Sequence, residues 1–598
     1  MKTWLLILLF LFITANVISQ NSITAQVVDL DSEVPLQYCN IVFLGNNKGT
    51  ITNNAGLFAF NTLYYDSLKI SYVGYKTKII AVKSISNNDI IKLQKTKFSL
   101  AEFSVHANND YLFKVISKLR KSLKDNKMPY VSKVYYGVES QTNNIPIEFL
   151  ECFYNADITG EYIDKLTYKN GRVGLAKVDG NYFETFNTAK AISRISITNN
   201  NLLYPGIPTQ FSIRKNKKKF KLTAYSNADN ITKIDFTPID STVDFSGTFW
   251  VNTSSNLLLK IDLWANNTSK HPFLPLHQTD KISNLNIHIS KFFYNKGNET
   301  LLDHVYFDYS FIYKTERGQR VFERNITTKG IIRVYDYDKP FIIPYFQYPD
   351  NIRYGDYYRM SFIPYNSLFW DNNESIALTE QQQKKLGFFA NHGKLINYRD
   401  GNFGNDFIQK KIDNDTTDDT HFYFYFPFWD AKKRITIRKD LPQNYAINIE
   451  QQGAKIKSDL YNIEAQFLLD ITSIGDSLNF RSYTVFDSYR TFYELPIDSI
   501  TYAFINIYLD LYEIQRRKMQ EELEERNWSL SEADSIYHQN IISIEKTTKK
   551  YIKEVRIGEN IAKLEDWNQY VLDNLGIDNL LLIHFYILLD DKTDSNNK

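Results

Sequence analysis

Two histidines and one acidic cluster are the parts of this sequence whose residue types and spacing come nearest to metal chemistry. His271 and His277 stand six positions apart, but Pro272 and Pro275 prevent the regular helix that would aim both imidazoles one way. Residues 400–419 are rich in Asp and Asn, whose oxygens calcium favours, yet their spacing matches no EF-hand loop. We therefore predict loops at both places and no cofactor, and leave open whether calcium binds at 400–419.

The sequence contains no recognisable catalytic motif. A zinc peptidase site needs two His and a Glu, commonly opened by His-x-x-Glu, and none of the nine histidines has Glu at the third following position. Gly-x-Ser-x-Gly, the Walker loop and Gly-x-Gly-x-x-Gly are also missing. Two remote carboxylates could still serve glycoside hydrolysis, but 68 acidic residues give no reason to choose a pair. We predict a non-enzymatic protein and assign no catalytic, cofactor-binding or metal-ligating residue.

Length, charge and aromatic content limit the class of protein. A chain of 598 residues implies several domains. Its 70 Lys and Arg nearly cancel its 68 Asp and Glu, so the chain as a whole carries no charge that would attract nucleic acid. Aromatic residues make up 15% of the sequence, which favours β-strands whose exposed faces still carry Tyr and Phe. Such faces suit a protein that docks on other proteins.

The N-terminus has the pattern of an export signal. Lys2 precedes an apolar run over residues 4–15, and the small residues Val17 and Ser19 suit a signal peptidase. The run falls short of the ~20 residues that span a bilayer, so we predict a signal peptide at 1–19, with an uncleaved anchor as the alternative. The segment has no cysteine for lipid attachment. We expect an exported protein that is not a lipoprotein.

Residues 20–97 have the pattern of a small β-sandwich. Ile41 and Phe43, and later Leu68 and Ile70, alternate with polar residues at the period of a strand. Glycines stand where tight turns or close backbone approach need a residue without Cβ.

The same stretch resembles the carboxypeptidase regulatory-like domain that opens many envelope proteins of Bacteroidetes-type bacteria. Three residues depart from the usual pattern of that domain: Cys39 replaces a small residue, Asn53 replaces the usual Asp, and Gln26 stands where a Gly is common. The matching positions, which we expect to be structural, are Asp29, Pro35, Leu36, Asn40, Gly49, Thr50, Thr52, Gly56, Phe58, Ser71, Tyr72, Val73, Gly74 and Tyr75. The resemblance implies an immunoglobulin-like or prealbumin-like sandwich and no catalytic role for this domain. It also implies export to the periplasm or cell surface, with association to the outer membrane.

A linker and one amphipathic helix are predicted over residues 98–129. Asp110 can cap the helix, and its apolar face is formed by Leu112, Val115, Ile116, Leu119 and Leu123. Cys39, in the sandwich, and Cys152, beyond this helix, are interpreted as small core residues, with a bridge between them as the alternative.

Residues 130–345 are predicted to form an antiparallel β domain. The predicted strands are 130–139, 148–154, 165–168, 219–225, 231–236, 248–251, 257–263, 304–313 and 326–334. The stretch from Ile231 to Leu263 predicts a three-stranded meander and resembles the half-barrel of outer-membrane lipoprotein carriers. That resemblance implies a concave face for an acyl chain or a partner's strand; a filled core is the other interpretation. The basic run Arg214–Lys219 is predicted to be an exposed hairpin loop, with a contact to lipid headgroups or lipopolysaccharide as the alternative.

Residues 346–490 are predicted to be β-rich, with an extended segment of prolines and aromatics that begins at Pro340. Thr379 is predicted to start a short helix. Further strands are expected at 421–427, 434–438, 445–450, 462–469 and 477–489. The meander and the extended segment together supply the predicted binding surface, which consists of Phe236, Phe249, Trp250, Phe362, Tyr365, Phe369 and Trp370.

Three helices are predicted for residues 491–590, and a polar tail for 591–598. The first helix carries the apolar stripe Ile500, Phe504, Ile507, Leu511 and Ile514. The second is predicted to begin near Ser531, with Asp534 as its capping partner, and the third to run over 559–575 and end at Gly576. The apolar stretch 580–589 is too short to span a bilayer as a helix.

These patterns predict a mainly β protein with a C-terminal helical region: a sandwich, a half-barrel-like β domain, and α-helices. We expect an envelope accessory protein that docks on an outer-membrane or periplasmic protein partner or on an apolar ligand. Lipid and glycan are further candidate ligands, and nucleic acid is not expected. The alternatives are a hydrolase of surface glycan or peptide, which two facing carboxylates would favour, and a periplasmic lipid carrier, which an apolar cavity beneath 231–263 would favour.

Overall fold

The chain forms two compact units. The first unit comprises Met1–Thr167, Gly171–Pro340 and Asn373–Leu395, and the second unit comprises Tyr168–Asn170, Phe341–Asn372 and Ile396–Lys598. The computed structural model describes residues 22–44, 48–61, 66–100, 110–125, 128–178, 181–182, 188–226, 230–273, 275, 279–296, 299–317, 320–347, 360, 363–373, 376–398, 426–435, 461–488, 490–493 and 495–581.

Several predictions fall outside the described residues. They are the signal peptide at 1–19, His277, the acidic cluster at 400–419, Phe362, most of the strands expected between 421 and 450, and the tail at 591–598.

Seven strands of the first unit form two sheets that share one hydrophobic core. The strands are β1 (Ser22–Asp29), β2 (Asn40–Leu44), β3 (Lys48–Ile51), β4 (Leu57–Asn61), β5 (Ser67–Ser71), β6 (Lys78–Ala81) and β7 (Asp89–Leu93). One sheet has the order β4-β1-β7 and the other β3-β2-β5-β6. Ile41, Phe43, Leu68 and Ile70, whose alternation predicted the sandwich, are buried between them.

A 13-stranded sheet accounts for most of the remaining strands of the first unit. Its members are β8 (Ser99–Leu100), β9 (Pro129–Thr142), β10 (Ile145–Thr159), β11 (Tyr162–Val178), β12 (Asn181–Tyr182), β13 (Phe220–Ser226), β14 (Ile231–Pro238), β15 (Ser246–Asn252), β16 (Leu257–Ala265), β17 (Lys281–Lys296), β18 (Glu299–Arg317), β19 (Arg320–Tyr335) and β20 (Gly393–Ile396). The order is β12-β11-β10-β9-β19-β18-β17-β16-β15-β14-β13-β8, with β20 beside β11. Over the described residues the sheet does not close on itself.

The predicted meander is confirmed as β14, β15 and β16, which pair antiparallel in sequence order. Strand β17 is absent from the predictions. Its pairing with β18 shifts between Ser283 and Asn286, and this irregularity breaks the simple alternation that identifies a strand. Lys291 is buried although it is charged, so it interrupts the alternation of apolar and polar residues by which the strand could have been predicted.

Eight helices of four residues or more are described. In chain order they are α1 (Asp110–Asp125), α2 (Thr188–Ser193), α3 (Ile213–Lys219), α4 (Ser367–Asn372), α5 (Glu380–His392), α6 (Ser499–Glu524), α7 (Leu530–Val555) and α8 (Ile561–Leu575). Helix α1 buries the predicted apolar face and contacts β13 and β16. Thr379 caps α5, as predicted, by accepting a hydrogen bond from the Gln382 backbone.

The predicted hairpin loop at Arg214–Lys219 is wrong, because these residues belong to α3. The prediction gave too much weight to the density of charge. Lys and Arg are good helix formers, so a run of them is compatible with a helix. Asn216 turns inward, and its side-chain nitrogen donates to the Pro208 carbonyl at 2.7 Å, so one polar residue fixes the buried side of this short helix.

Helices α6, α7 and α8 share a hydrophobic core with a hairpin in the second unit. The hairpin consists of β22 (Ala465–Ile474) and β23 (Ser477–Phe486), beside the short pair β21 (Tyr461–Asn462) and β24 (Phe492–Tyr493). The predicted stripe of α6 lies in this core. The predicted start of the second helix is corrected: Ser529 caps α7 in a reciprocal capping box with Glu532. The third helix ends as predicted at Gly576, whose φ is +71°.

The predicted fold class is confirmed: a mainly β chain with an N-terminal sandwich, open sheets and a helical C-terminal region. None of the helices that the structure describes is both long and apolar enough to cross a bilayer.

Candidate binding site

Asp29 fastens the end of β1 to the residues around it. Its Oδ1 accepts hydrogen bonds from the Ser32 backbone and hydroxyl, both at 2.8 Å, and its Oδ2 accepts one from the Tyr75 hydroxyl at 2.8 Å. Lys95 lies 3.2 Å from Oδ2. The hydrogen bond from the Ser32 backbone is the largest effect that holds the pKa of Asp29 well below its usual range. The carboxylate thus has a structural use.

Thr52 and Asn53 organise the turn before β4. The Thr52 hydroxyl donates to the Leu36 carbonyl at 2.6 Å and accepts from the Cys39 backbone at 2.8 Å. Asn53, which replaces the usual Asp, accepts from the Leu57 backbone at 2.9 Å and donates from its amide nitrogen to the Ala377 carbonyl at 2.8 Å. The amide nitrogen therefore donates a hydrogen bond to the segment 373–395. An ionised carboxylate has no donor and could not form this bond.

The other motif positions pack or shape the backbone of the sandwich. Leu36 and Phe58 are core residues. Pro35 forms an isolated antiparallel β-bridge with Val28. Gly56 has φ +72°, where an added Cβ would lie 2.6 Å from the Val27 carbonyl oxygen. Asn40, Gly49, Thr50 and Ser71 lie in β2, β3 and β5.

The last part of the motif contacts the large sheet. The ring of Tyr72 lies 6.2 Å from that of Phe292, measured between centroids. A Cβ added to Gly74 would lie 3.4 Å from the Trp250 ring, so this ring rests against the glycine backbone. Tyr38 stacks on Tyr306 at 4.9 Å. Trp250, predicted as a binding residue, is half-buried at this contact within the first unit.

Phe236 and Phe249 fill the interior of the meander. Their ring centroids are 4.9 Å apart, and both side chains are fully buried together with Phe245. They are therefore not available on the surface as binding residues, and the interpretation of a filled core describes them better than that of an open concave face.

Phe369 and Trp370 are buried in the second unit. Trp370 donates from its ring nitrogen to the Asn170 side chain at 3.2 Å, and Phe369 packs against Phe341 with 5.4 Å between ring centroids. Tyr365 is half-buried and stacks on Trp370 at 6.4 Å. Phe369 and Trp370 are therefore part of the interior of the second unit and are not exposed for binding.

The candidate binding site is a pocket of about 300 Å³ in the second unit. Its lining residues are Tyr168, Ile343, Pro344, Phe346, Gln347, Ile363 and Arg490. The walls are largely apolar and aromatic, and the polar side is formed by Gln347 and Arg490. Among these described lining residues there is no Asp or Glu, and Arg490 carries the one charged side chain. A volume near 300 Å³ is at the lower end of the range for ligand pockets.

The polar side of the pocket is held by a short network. Arg490 donates from its guanidinium to the Gln347 side-chain oxygen at 3.0 Å. Gln466 donates to the Gln347 carbonyl at 2.8 Å and accepts from the Gln347 backbone nitrogen at 2.9 Å. Asp487 accepts from the Arg490 backbone at 3.0 Å and lies 3.7 Å from its guanidinium. Arg490 is therefore oriented, while its exposed side chain keeps donors for a ligand.

Tyr345 holds the extended segment that lines the pocket. Its backbone pairs with Leu469 of β22 by two hydrogen bonds, at 2.9 and 3.1 Å. Its hydroxyl donates to Asp534 at 3.0 Å. Burial is the larger cause, and the hydrogen bond to this carboxylate the next, of a rise in the pKa of Tyr345 to about 12. Residues 341–347 are thus extended and fixed against β22, as their prolines and aromatics predicted. Phe369 and Trp370, predicted in the same extended segment, instead belong to helix α4.

A buried ion pair lies next to Tyr168 in the sequence. Lys169 donates to Asp470 at 2.5 Å and to the Ile471 carbonyl at 3.0 Å, and both charged side chains are almost fully buried. Asn366 donates to the other oxygen of Asp470 at 2.9 Å. This polar cluster connects residues 168–170 and α4 to β22, and through them fixes two walls of the pocket.

The first unit has a second cavity, of about 50 Å³. Glu139, which forms ion pairs with Lys329 at 3.0 Å and with Lys385, stands in its wall. A space of this size holds a few waters at most, so we do not treat it as a binding site.

The remaining candidates from the sequence have ordinary surroundings. His271 is half-buried and contacts the Phe273 carbonyl at 3.1 Å, and burial lowers its pKa. Cys39 and Cys152 are buried core residues, and no disulfide joins them. Within the described part of the chain, no three His, Cys, Asp or Glu side chains lie together as a metal site would require.

The pocket residues were not predicted as a set. The sequence indicated the extended segment that supplies Ile343, Pro344 and Phe346, but it gave no signal for Tyr168 or Arg490, which are remote in the chain.

Comparison with known proteins identifies the N-terminal region. The family model described as CarboxypepD_reg-like domain matches residues 23–105. Among solved structures, the chain is similar to a LolA superfamily protein from Nitrosomonas europaea, at 10% sequence identity and a TM-score of 0.15, over 40% of this chain and 97% of that one. No curated protein gives a match. Residues 23–105 are therefore a CarboxypepD_reg-like domain, as the motif from Asp29 to Tyr75 predicted.

Proposed function

We propose that this chain is a non-enzymatic binding protein of the bacterial envelope, which docks on an outer-membrane or periplasmic protein partner through the pocket of the second unit. The observation that carries the proposal is the pocket itself. It combines apolar walls, a rigid extended segment and one oriented guanidinium. Such a combination is typical of the anchoring point of a protein interface.

The chemistry of the pocket favours a particular kind of partner segment. The apolar walls of Ile343, Pro344 and Phe346 suit one large apolar or aromatic side chain. The guanidinium of Arg490 suits a carboxylate beside it, because Arg pairs with carboxylates by two parallel hydrogen bonds. We therefore propose a partner segment that presents an apolar anchor next to an acidic residue.

Export to the envelope is part of the same proposal. It is supported by the charged, apolar and small residues at 1–19 and by the CarboxypepD_reg-like domain that follows them.

The two alternatives have less support. A lipid carrier needs an apolar space beneath residues 231–263, where Phe236, Phe245 and Phe249 are fully buried and packed together. A glycoside hydrolase needs two facing carboxylates, and the described lining of the pocket provides none.

Photo-crosslinking from the rim of the pocket tests the proposal. Gln347 is exposed, and a photoreactive phenylalanine analogue at this position keeps its backbone hydrogen bonds with Gln466. The analogue removes the side-chain acceptor for Arg490, whose guanidinium still lies 3.7 Å from Asp487. We expect irradiated envelopes to yield one dominant protein adduct. The matched control carries the same analogue at Lys549, an exposed position of α7. No adduct from position 347, or the same adduct from both positions, would refute the proposal.

A further inference from the structure

Two leucines in the first unit are exposed on a well-defined turn. Leu202 is 81% exposed and Leu203 is 58% exposed. The Asn201 side chain accepts from the Leu203 backbone at 3.0 Å, and the Tyr204 backbone donates to the Asn201 carbonyl at 3.1 Å. The Tyr204 hydroxyl donates to the Ala191 carbonyl at 2.8 Å and anchors the turn. The turn thus presents both apolar side chains to solvent in a fixed backbone conformation.

A second turn, with another exposed apolar residue, adjoins the first. Gly206 donates to the Val243 carbonyl at 3.0 Å and accepts from the Phe245 backbone at 2.9 Å. This second turn begins at Ile239, which is 65% exposed, and the Ile239 backbone donates to the Lys219 carbonyl at 2.8 Å. These hydrogen bonds link the leucine turn to the turn that begins at Ile239, and that turn to the end of α3.

Helix α3 adds positive charge to this surface. Arg214, Lys215, Lys217 and Lys218 are exposed, and of these Lys217 pairs with Asp110 at 2.5 Å. Lys219 pairs with Asp244. A further carboxylate, Asp240, accepts from the hydroxyl and backbone of Thr242 at 2.7 and 3.0 Å and keeps its negative charge. Among the described charges named here, Arg214, Lys215 and Lys218 outnumber Asp240, so this region has a net positive charge.

We propose that this leucine–lysine face, formed by Leu202, Leu203, Ile239 and α3, docks on an anionic phospholipid surface. Exposed leucines enter the boundary between headgroups and acyl chains, while lysines and arginines reach the lipid phosphates. The charges have the sign that anionic headgroups require. A nucleic acid would use the same cations but would gain nothing from the leucines, which is the distinction that the experiment uses.

Vesicle co-sedimentation of the full chain measures this interaction. The probes are vesicles of phosphatidylcholine alone and vesicles in which a third of the lipid is phosphatidylglycerol. One variant is Leu202→Ser with Leu203→Ser, and the other combines Arg214→Gln, Lys215→Gln and Lys218→Gln. Two matched controls change exposed residues of the second unit: Leu530→Ser, and Lys546→Gln with Lys549→Gln and Lys550→Gln. All versions keep the same N-terminus, so its contribution cancels.

We expect the unaltered chain and both controls to bind the anionic vesicles and to prefer them to the neutral ones. Removing the three cations should weaken binding at least tenfold, since each cation near an anionic surface contributes roughly fivefold. The double serine variant should also weaken it at least tenfold. Equal binding to both kinds of vesicle, or unchanged binding by either variant, would overturn the proposal. Loss of binding to single-stranded DNA with the cation variant, without any effect of the serines on vesicles, would overturn it in favour of a polyanion site.

Discussion

At the scale of single residues, the second unit depends on charges that are buried and matched. Lys169 and Asp470 are a pair of this kind, and each is almost fully buried. Asp470 also accepts a hydrogen bond from Asn366, and Lys169 also donates one to the Ile471 carbonyl. A buried pair adds little stability over apolar residues of the same size, but removing one partner leaves the other charge without compensation. The pair therefore fixes which residues meet, and so fixes the wall of the pocket beside it.

The variant Asp470→Ala tests this account. It should lower the free energy of unfolding of the second unit by about 3–5 kcal/mol, because Lys169 would remain buried without its carboxylate. Native-state hydrogen exchange of the β22 amides measures the effect. Glu545→Ala is the control, since it breaks the exposed pair with Lys549 and should cost less than about 1 kcal/mol. A similar small cost for both variants would contradict the account.

Acid should loosen the sandwich through Asp29. The pKa of this carboxyl is lowered in the folded state, chiefly by the Ser32 backbone, so its contribution to stability is present above its unfolded pKa of about 3.9 and is lost as the pH falls towards the folded pKa. We expect the urea midpoint of the sandwich to fall on acidification below about pH 4, and to fall less steeply in Asp29→Asn. Parallel pH profiles for the two proteins would rule out this role for Asp29.

At the scale of elements, the ends of the C-terminal helices are set by side chains. Ser529 accepts from the Glu532 backbone, and Glu532 accepts from the Ser529 backbone at 2.9 Å. The Ser529 backbone is the largest cause that lowers the pKa of Glu532 to about 2. These reciprocal bonds fix the first residue of α7.

Replacement of the cap should be visible as a loss of stability. Ser529→Ala should cost about 1 kcal/mol in the stability of α7, because it removes the acceptor for one unpaired backbone N–H. Ser535→Ala, further along the same helix, is the control and should be neutral or slightly stabilising, since Ala is the better helix former. Hydrogen exchange of the first turn of α7 compares them, and equal effects would contradict the capping role.

Elements with a strong period could be predicted from the sequence, and irregular ones could not. The meander of β14, β15 and β16 and the stripe of α6 repeat apolar residues at the spacing of a strand and of a helix. A shift in pairing interrupts β17, so its residues do not follow the two-residue period of a strand. Helix α3 is short and consists mainly of charged residues, so its sequence does not show the period of an amphipathic helix. In both cases tertiary contacts, through Lys291 and Asn216, decide the structure.

At the scale of the whole molecule, the sandwich and the pocket differ in how far the sequence could predict them. The CarboxypepD_reg-like motif is a local pattern, so it could be identified from its own residues. The pocket combines residues 168, 343, 344, 346, 347, 363 and 490, and only folding brings them together. The sequence also could not tell whether Phe236 and Phe249 line a cavity or fill a core, because that depends on how neighbouring side chains pack.

The measurement that tests the proposed function most directly is affinity capture of the tagged chain from gently solubilised envelopes, with mass spectrometry of proteins and lipids. The unaltered chain and the control Arg526→Ala, an exposed arginine of the same unit, should retain a stoichiometric protein partner. Arg490→Ala should retain roughly tenfold less, since it removes a charged hydrogen-bond donor from the rim of the pocket. A chain that emerges alone, or a partner retained equally by all three versions, would contradict the account.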